Sequence, residues 1–556
     1  MTDTDEQELS FWGWGYSHKT PDEEERRELA EMVETYLGFP ERPMLETPTI
    51  EDAEMPEPSV EPPFEFCTTS RAERAHHTYG KGYRDLVRGF HGDFSPAPDA
   101  VARPETEDEL GELLRWASNE NVAVVPFGGG TSVVGGVECG GDGYAGVVSL
   151  DVRGLDEVLE VDPVSRSARI QAGATGPRLQ EQLKEHDLQL RHYPQSYEFS
   201  TLGGWLATHA GGHFATVYTH IDDFVESVRM VTPTGVVETR RLPSSGAGPD
   251  PNALLLGSEG AFGVFTEAWM RVQPRPESRA KATVAFDDFE AGVEASRRIA
   301  QARLYPANCR LLDRKEALLN QIGSNNLLVL GFESVDTGTD ADRTVEDDLG
   351  RAVEIAEEEG GDVRERSVSG DDDNGDEERD DTTEGDWRQS FFDAPYMFNG
   401  LVSIGVLVDT FETAVTWDGF YDLHDAVQTQ VTETMNDVCG DGFLSCRFTH
   451  VYEDGPAPYY TFLAPAEVGD ELEQWRAVKS TASDVLEEHG ATITHHHAVG
   501  RTHKPWYREE TPDEFRDALR ATKNVLDPAG VMNPGVLLEA DGDTNLDSDT
   551  DDDGKP

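Results

Sequence analysis

Between residues 106 and 126 the chain shows apolar positions first at helical and then at strand spacing. Leu110, Leu113, Leu114 and Ala117 recur three and four residues apart behind Thr106 and Glu109, which form a capping box, so a helix is expected there. The apolar run VAVVP at 122–126 follows as a buried strand and leads straight into FGGGTSVVGG. VVSLDV, ARIQAGA, VRMVTPTGVVET and FGVFTEAWMRVQ continue as strands, with PRLQEQLKEHDL as a helix among them, which predicts one α+β unit over 95–275. A second unit, 276–500, opens with a strand then a helix in ATVAFDDFEAGVEASRRIAQA and repeats that order in YYTFLAP and ELEQWRAVKSTASDVLEEHG. No short-period repeat occurs, so a solenoid is excluded. Residues 1–94 form a mixed lead-in whose TPTIEDAEMPEPSVEPPFEF is expected to run over a surface as a linker. The stretch 368–386 and the tail 539–556 are acidic and poor in apolar residues, which predicts disorder.

Composition changes the picture in one respect. The 556 residues are enough for two or more cores, but 109 acidic against 46 basic residues leave a formal net charge of -63. Such a surface repels nucleic acid and anionic membranes and suits a salt-rich cytoplasm, where molar salt shortens the Debye length to about 3 Å. Cys67, Cys139, Cys309, Cys439 and Cys446 have no paired short spacing, against a disulfide framework or a zinc site. The acidic runs lack the spacing of a calcium loop, so no metal is expected. The start MTDTDEQELS and the absence of an eighteen-residue apolar run predict a cytoplasmic protein with neither signal peptide nor membrane span.

The candidate chemistry begins at Gly128, Gly129 and Gly130, directly after a strand. Glycines there bring several main-chain N–H groups within reach of a diphosphate, and Thr131 and Ser132 add hydroxyls. Val133 stands where a dinucleotide fingerprint would place its third glycine, and no lysine follows as in a Walker A loop. With QSYEFSTLGGWLATHAGG, YTHIDDFVESVRMVTPTGVVE and GSEGAFGVFTEA downstream, the loop resembles the PCMH-type flavin-binding domain of the vanillyl-alcohol-oxidase family. The resemblance implies an α+β fold: a two-part PCMH-type FAD-binding domain at 95–275, a mixed α/β substrate (cap) domain with an antiparallel sheet at 276–500, and a segment 501–538 returning to the FAD site.

It further implies that Pro126, Phe127, Gly128, Gly129, Gly130, Thr131 and Ser132 wrap the FAD diphosphate. Gln195, Ser196, Tyr197, Glu198, Phe199, Ser200 and Thr201, with Thr208, His209, Ala210 and Gly211, would line the other side of the cofactor. Glu259, Gly260, Ala261, Phe262, Gly263, Val264 and Phe265 would pack on its adenine and isoalloxazine. The loop carries no histidine or cysteine, so dissociable FAD is expected, with His209 and His213 as the residues that leave covalent attachment open.

FWGWGYSHKT, SRAERAHHTYGKGYRDLVRGFHGDF, ANCRLLDR, SCRFTHVYEDG and THHHAVG also resemble alkyldihydroxyacetonephosphate synthases and their prokaryotic relatives. That resemblance implies an exchange of acyl for alkyl on a flavin-bound imine, with Tyr459 and the triplet His495, His496 and His497 managing protons, and Arg310 and Arg447 holding phosphate or carboxylate. If the triplet is extended, His495 and His497 share one face and His496 the other. Phe398 departs from the synthase pattern, which has an arginine there, and LDPAGVMNPG at 526–535 matches D-lactate dehydrogenase and glycolate oxidase subunits instead. A salt-adapted host, if an archaeon, would not need the synthase reaction for its ether lipids, so the leading expectation is an FAD-dependent oxidoreductase acting on a 2-hydroxy acid or alcohol, with hydride passing to flavin and an unidentified electron acceptor. The synthase reaction is the alternative, the substrate a small molecule in both, and a homodimer is compatible with either.

Overall fold

The computed structural model describes residues 8–141, 143–334, 344–369 and 395–538. The predicted acidic segments, from 370 to 386 and from 539 to 556, lie outside these; residues 368 and 369 end the strand Asp362–Ser369. The helix foreseen behind Thr106 runs Glu107–Glu120. Thr106 Oγ1 accepts from the Glu109 N–H, and Glu109 returns the bond by accepting from the Thr106 N–H. Its fully buried Leu110, Leu113, Leu114 and Ala117 pack in one core with Val122, Val124, Val231 and Val264. Each such leucine contributes about 2 kcal/mol of burial.

That helix joins two small sheets. In the first, Val122–Phe127 and Ala100–Ala102 flank Gly146–Asp151 in parallel, with Cys67–Thr68 antiparallel at the edge. The second is antiparallel, in the order Val158–Asp162, Ser167–Gln171, Val264–Arg271, Val225–Thr232 and Gly235–Glu238. The C-terminal segment closes against the first sheet: Val124 N–H donates to Val531 O at 2.8 Å, and Asn533 N–H to Val124 O at 2.8 Å. These two sheets make the flavin-type domain in two parts.

The second unit is a seven-stranded antiparallel sheet, ordered Asp362–Ser369, Ser278–Phe286, Asn326–Ser334, Asn308–Leu312, Phe443–Val451, Pro456–Pro465 and Val406–Glu412. Its register does chemical work. Tyr459 stands opposite Arg447 on one neighbour and Glu412 on the other, and directly paired residues project to the same face. One face of this sheet therefore presents a phenol, a guanidinium and a carboxylate side by side.

The lead-in is tied to the rest of the molecule by its aromatic residues. Trp12, Trp14, Val33, Phe39 and Ala53 are buried in one core with Leu401, Val406 and Leu423, and Phe64 and Phe66 stack at 5.0 Å beside Trp116. Within 47–66 itself only Ala53 and Pro62 are buried and Phe64 and Phe66 are half-buried, so this stretch runs over the surface as expected, its prolines keeping it largely out of helix and strand.

Candidate active site

One cavity runs from the glycine loop to the seven-stranded sheet and encloses about 1780 Å³ of empty space, its open mouth included. At its first end Gly128, Gly129 and Gly130 are held by close approach of the segment before the helix Leu202–Thr208. A Cβ at Gly128 would fall 2.2 Å from Thr201 Oγ1 and one at Gly129 2.1 Å from Phe199 O, while Gly130 has φ +65°. No side chain but hydrogen fits there. The glycine N–H groups donate to no acceptor among the described residues, and all three glycines line the cavity, so the strand Val122–Phe127 runs into a set of main-chain donors still without a partner. An anionic ligand satisfies such donors, and the residues present therefore fit an FAD diphosphate.

Lys81 reinforces that end. Its main-chain N–H donates to Ser132 O at 2.6 Å, and the residue is part of the cavity lining. Burial lowers the ammonium to about 8, with Asp85 opposing. The glycines on either side are a signal that sequence reading could have used: a Cβ at Gly80 would meet Ser132 O at 2.1 Å and one at Gly82 would meet Val133 O at 2.6 Å. Glu259, on the opposite wall, accepts from the N–H groups of Val499 and Gly500 at 2.9 and 2.8 Å, and burial pushes it up to about 7.

Of the residues expected at the cofactor, Pro126 to Ser132, Gln195, Ser196, Ser200, Thr201, Thr208, Ala210, Gly211, Glu259, Gly260, Gly263, Val264 and Phe265 line the cavity. The others lie behind its wall. Tyr197 donates to Gly176 O at 2.8 Å and stacks on Trp205; Glu198 faces Lys19 at 3.6 Å; Phe199 packs edge-on to Tyr16. Ala261 and Phe262 are buried in the core of the second sheet. His209 is the left-handed cap of the helix Leu202–Thr208, a geometry that turns its ring toward Gly257. Adjacent residues of a turn face different ways, so a contiguous motif overstates the contact set.

At the other end Arg310, Arg447, Tyr459, His496 and His497 meet. The Arg447 guanidinium lies 4.0 Å from the Tyr459 ring centre and pairs with the fully buried Glu316. Arg310 donates to His213 O at 2.6 Å. Tyr459 stacks on His496 at 6.0 Å and 17° and donates to Thr410 Oγ1 at 3.0 Å. Burial raises the phenol pKa, with Arg447 opposing, so Tyr459 is an un-ionised phenol at neutral pH. Burial likewise depresses His496 to about 3 and His497 to about 4, with Glu412 opposing, so both rings are neutral bases.

The triplet is not extended. The N–H groups of His495, His496 and His497 all converge on the Glu412 carboxylate, at 2.7, 3.1 and 2.9 Å, and Thr494 Oγ1 donates to it at 2.6 Å. This bend replaces strand alternation: His496 and His497 line the cavity, and His495 turns away to Tyr452. Burial would raise Glu412, but the donors that converge on it, the Thr494 hydroxyl and the main-chain N–H groups of His495, His496 and His497, hold it well below the usual carboxylate range. Two clusters, His450 with His495 and His496, and Glu412 with His496 and His497, bring their donor atoms within 4.8 Å, a proximity that local spacing did not suggest. In the second, the carboxylate is already committed to main-chain donors.

Comparison with known proteins agrees with this architecture. Residues 98–240 match the family described as "FAD binding domain", and residues 275–537 match "FAD linked oxidases, C-terminal domain". The chain is 31% identical over 495 residues to alkyldihydroxyacetonephosphate synthase of Trypanosoma brucei brucei, covering 84% of this chain and 77% of the relative. It is 26% identical over 457 residues to glycolate oxidase subunit GlcD of Bacillus subtilis (strain 168), covering 81% and 90%. A solved alkyldihydroxyacetonephosphate synthase superimposes with a TM-score of 0.77 at 25% identity, over 96% of this chain and all of that one. With a glycine cradle for a diphosphate at one end of its cavity and a tyrosine–histidine cluster at the other, the chain belongs to the PCMH-type, FAD-linked oxidase family that includes the alkyldihydroxyacetonephosphate synthases.

Proposed function

We propose that this protein is a synthase-type transferase, replacing the acyl group of an acylated dihydroxyacetone phosphate with a long-chain alcohol without net oxidation. The observation that carries the reading is Tyr459: a buried, un-ionised phenol beneath a guanidinium and stacked on a neutral imidazole, inside the cavity that also contains the glycine cradle. A reaction that removes a proton from carbon and later returns it needs such a reversible acid–base pair. Bound FAD would supply the electrophilic ring.

In this reading the Gly128–Gly130 amides and Lys81 hold the cofactor diphosphate, and Arg310 and Arg447 hold the substrate phosphate. His496 accepts the substrate proton, and Tyr459 donates to and accepts from the departing and entering oxygens. Phe398, where the synthase pattern has arginine, lines the cavity and adds apolar surface instead of a third cation from that segment. The sequence alone placed oxidation of a 2-hydroxy acid first. The 31% identity to a synthase against 26% to a glycolate oxidase subunit supports the reverse order. Oxidation remains the second reading, favoured by the latter relative and by the ending LDPAGVMNPG.

The two readings separate in one experiment. FAD-loaded protein in molar potassium chloride is given, without oxygen, a long-chain acyl-dihydroxyacetone phosphate with a fatty alcohol, or a panel of 2-hydroxy acids. The synthase reading expects ether product with the flavin still yellow. Bleaching by a hydroxy acid with no ether formed would replace it with the dehydrogenase.

A further inference from the structure

Behind the cavity wall a chain of hydrogen bonds ends on His496, and its direction can be worked out atom by atom. His220 Nε2 lies 2.9 Å from His495 O; a carbonyl only accepts, so that nitrogen carries the hydrogen and, in the neutral ring, Nδ1 is an acceptor. Thr219 Oγ1 lies 3.2 Å from that Nδ1 and donates to it. The Tyr452 hydroxyl donates to Thr219 Oγ1 at 3.1 Å, which uses its only hydrogen. Its contact with His495 Nε2 at 2.8 Å must then run the other way, so His495 carries its hydrogen on Nε2. His495 Nδ1 is bare, and it lies 3.2 Å from His496 Nδ1, which must supply the hydrogen between them.

The surroundings agree with that direction. Glu412 Oε2, an acceptor, lies 3.4 Å from the same His496 Nδ1. His450 cannot feed a competing hydrogen into the cluster through Nδ1, because its Nε2 faces Gly212 O at 3.1 Å. The rings facing His495 are His220 at 4.5 Å, His450 at 4.8 Å and His496 at 5.4 Å, and burial first, then His220 and His496, holds His495 itself well below the ordinary imidazole range. None of Thr219, Tyr452 and His495 lines the cavity.

We propose that Thr219, Tyr452 and His495 are positioning residues that fix His496 in the Nδ1–H tautomer, so that its Nε2 lone pair is the proton acceptor offered to the cavity. The proposal rests on His496 being the proton-handling imidazole. When His496 Nε2 takes a substrate proton, the ring becomes a cation that keeps its Nδ1–H between His495 and Glu412. When Nε2 returns the proton, the same neutral tautomer is restored, with no net change elsewhere in the chain.

A variant two hydrogen bonds away from His495 tests this. Thr219→Val removes the acceptor of the Tyr452 hydroxyl, whose buried hydrogen then turns to His495 Nε2 rather than stay without a bond. His495 then carries hydrogen on Nδ1, His496 switches to Nε2–H, and turnover falls about tenfold or more with FAD affinity unchanged. Thr219→Ser keeps the oxygen and stays near wild type. Tyr452→Phe removes the misdirected donor, so it costs less than about threefold alone and restores most of the activity lost in Thr219→Val. A merely structural role predicts instead that the double variant is worse than either single one, and that result overturns the proposal.

The ring itself gives a readout independent of the reaction. In FAD-loaded protein labelled with [15N]histidine, the signal lost in His496→Gln identifies this ring, and its shifts report which nitrogen bears hydrogen. Nδ1–H in the wild type, with a shift toward Nε2–H in Thr219→Val, is expected. Nε2–H in the wild type refutes the assignment even if the Thr219 and Tyr452 variants fail to fold. A protein with the expected tautomer but no acyl-for-alkyl exchange would sink the functional reading and leave the assignment standing.

Discussion

Tyr459 draws its character from three neighbours that no local sequence pattern connects. Arg447 and Glu412 are its cross-strand partners, and His496 arrives on a bend held by Glu412. Tyr459→Phe keeps the ring stack and removes the hydroxyl, so turnover should fall about 100-fold while FAD binding is unaltered, as read by the flavin spectrum and a cofactor titration. Lost flavin in that variant would instead make the phenol a structural support. Tyr459, His496, His497, Arg310 and Arg447 were legible in the sequence because the resemblance carries them on short motifs. Glu412, Tyr452, Thr219 and His220 were not. Each acts through a partner far along the chain, 275 residues away for His220 and His495, and a lone Glu in VLVDTFE looks like any strand residue until its neighbours are known.

At the scale of elements, the strand Val122–Phe127 and the helix Glu107–Glu120 were legible because their periodicity and capping box are local. The partner of that strand was not: residues 531–533, in a turn-rich segment, bond to Val124 from the far end of the chain. Asn533 is the pin. Its amide donates to Gly136 O at 3.0 Å and to Glu259 O at 2.7 Å, tying the C-terminal segment to both walls of the diphosphate end. Asn533→Ala removes the donor from one buried and one half-buried carbonyl and should lower stability by about 1–3 kcal/mol in urea titration, with weaker FAD binding in proportion. Unchanged cofactor affinity would show that this segment closes the sheet without shaping the seat.

For the whole molecule, acid should be more damaging than alkali near neutrality. Burial holds His192 and His496 at about 3, and His424, His497 and His503 at about 4, against 6.5 for an ordinary imidazole. Below pH 6.5 the unfolded chain binds protons at these sites and the folded one does not, so stability rises with pH up to about 6.5 and is lost as pH falls. Glu259 and Asp313, held up at about 7 by burial, and Asp85, held up at about 6, act in the opposite sense, since the folded state binds protons there that the unfolded state has released. The five imidazoles outnumber these three carboxyls, each group contributing at most about 1.4 kcal/mol per pH unit. The urea midpoint of the apoprotein, taken in molar potassium chloride to screen the net charge of -63, should therefore fall between pH 6.5 and 5. A midpoint that rises over this range would mean that the three carboxyls dominate.

The central claim is spatial: a single cavity grips a diphosphate at the glycine cradle and delivers the reactive ring of the same cofactor to Tyr459 and His496. A crystal structure of the FAD complex tests it most directly. Diphosphate oxygens are expected within hydrogen-bond distance, about 3 Å, of the Gly128–Gly130 amides, and the isoalloxazine in contact with the Tyr459–His496 pair. A ring that points away from those two side chains, or a diphosphate held elsewhere, would contradict it.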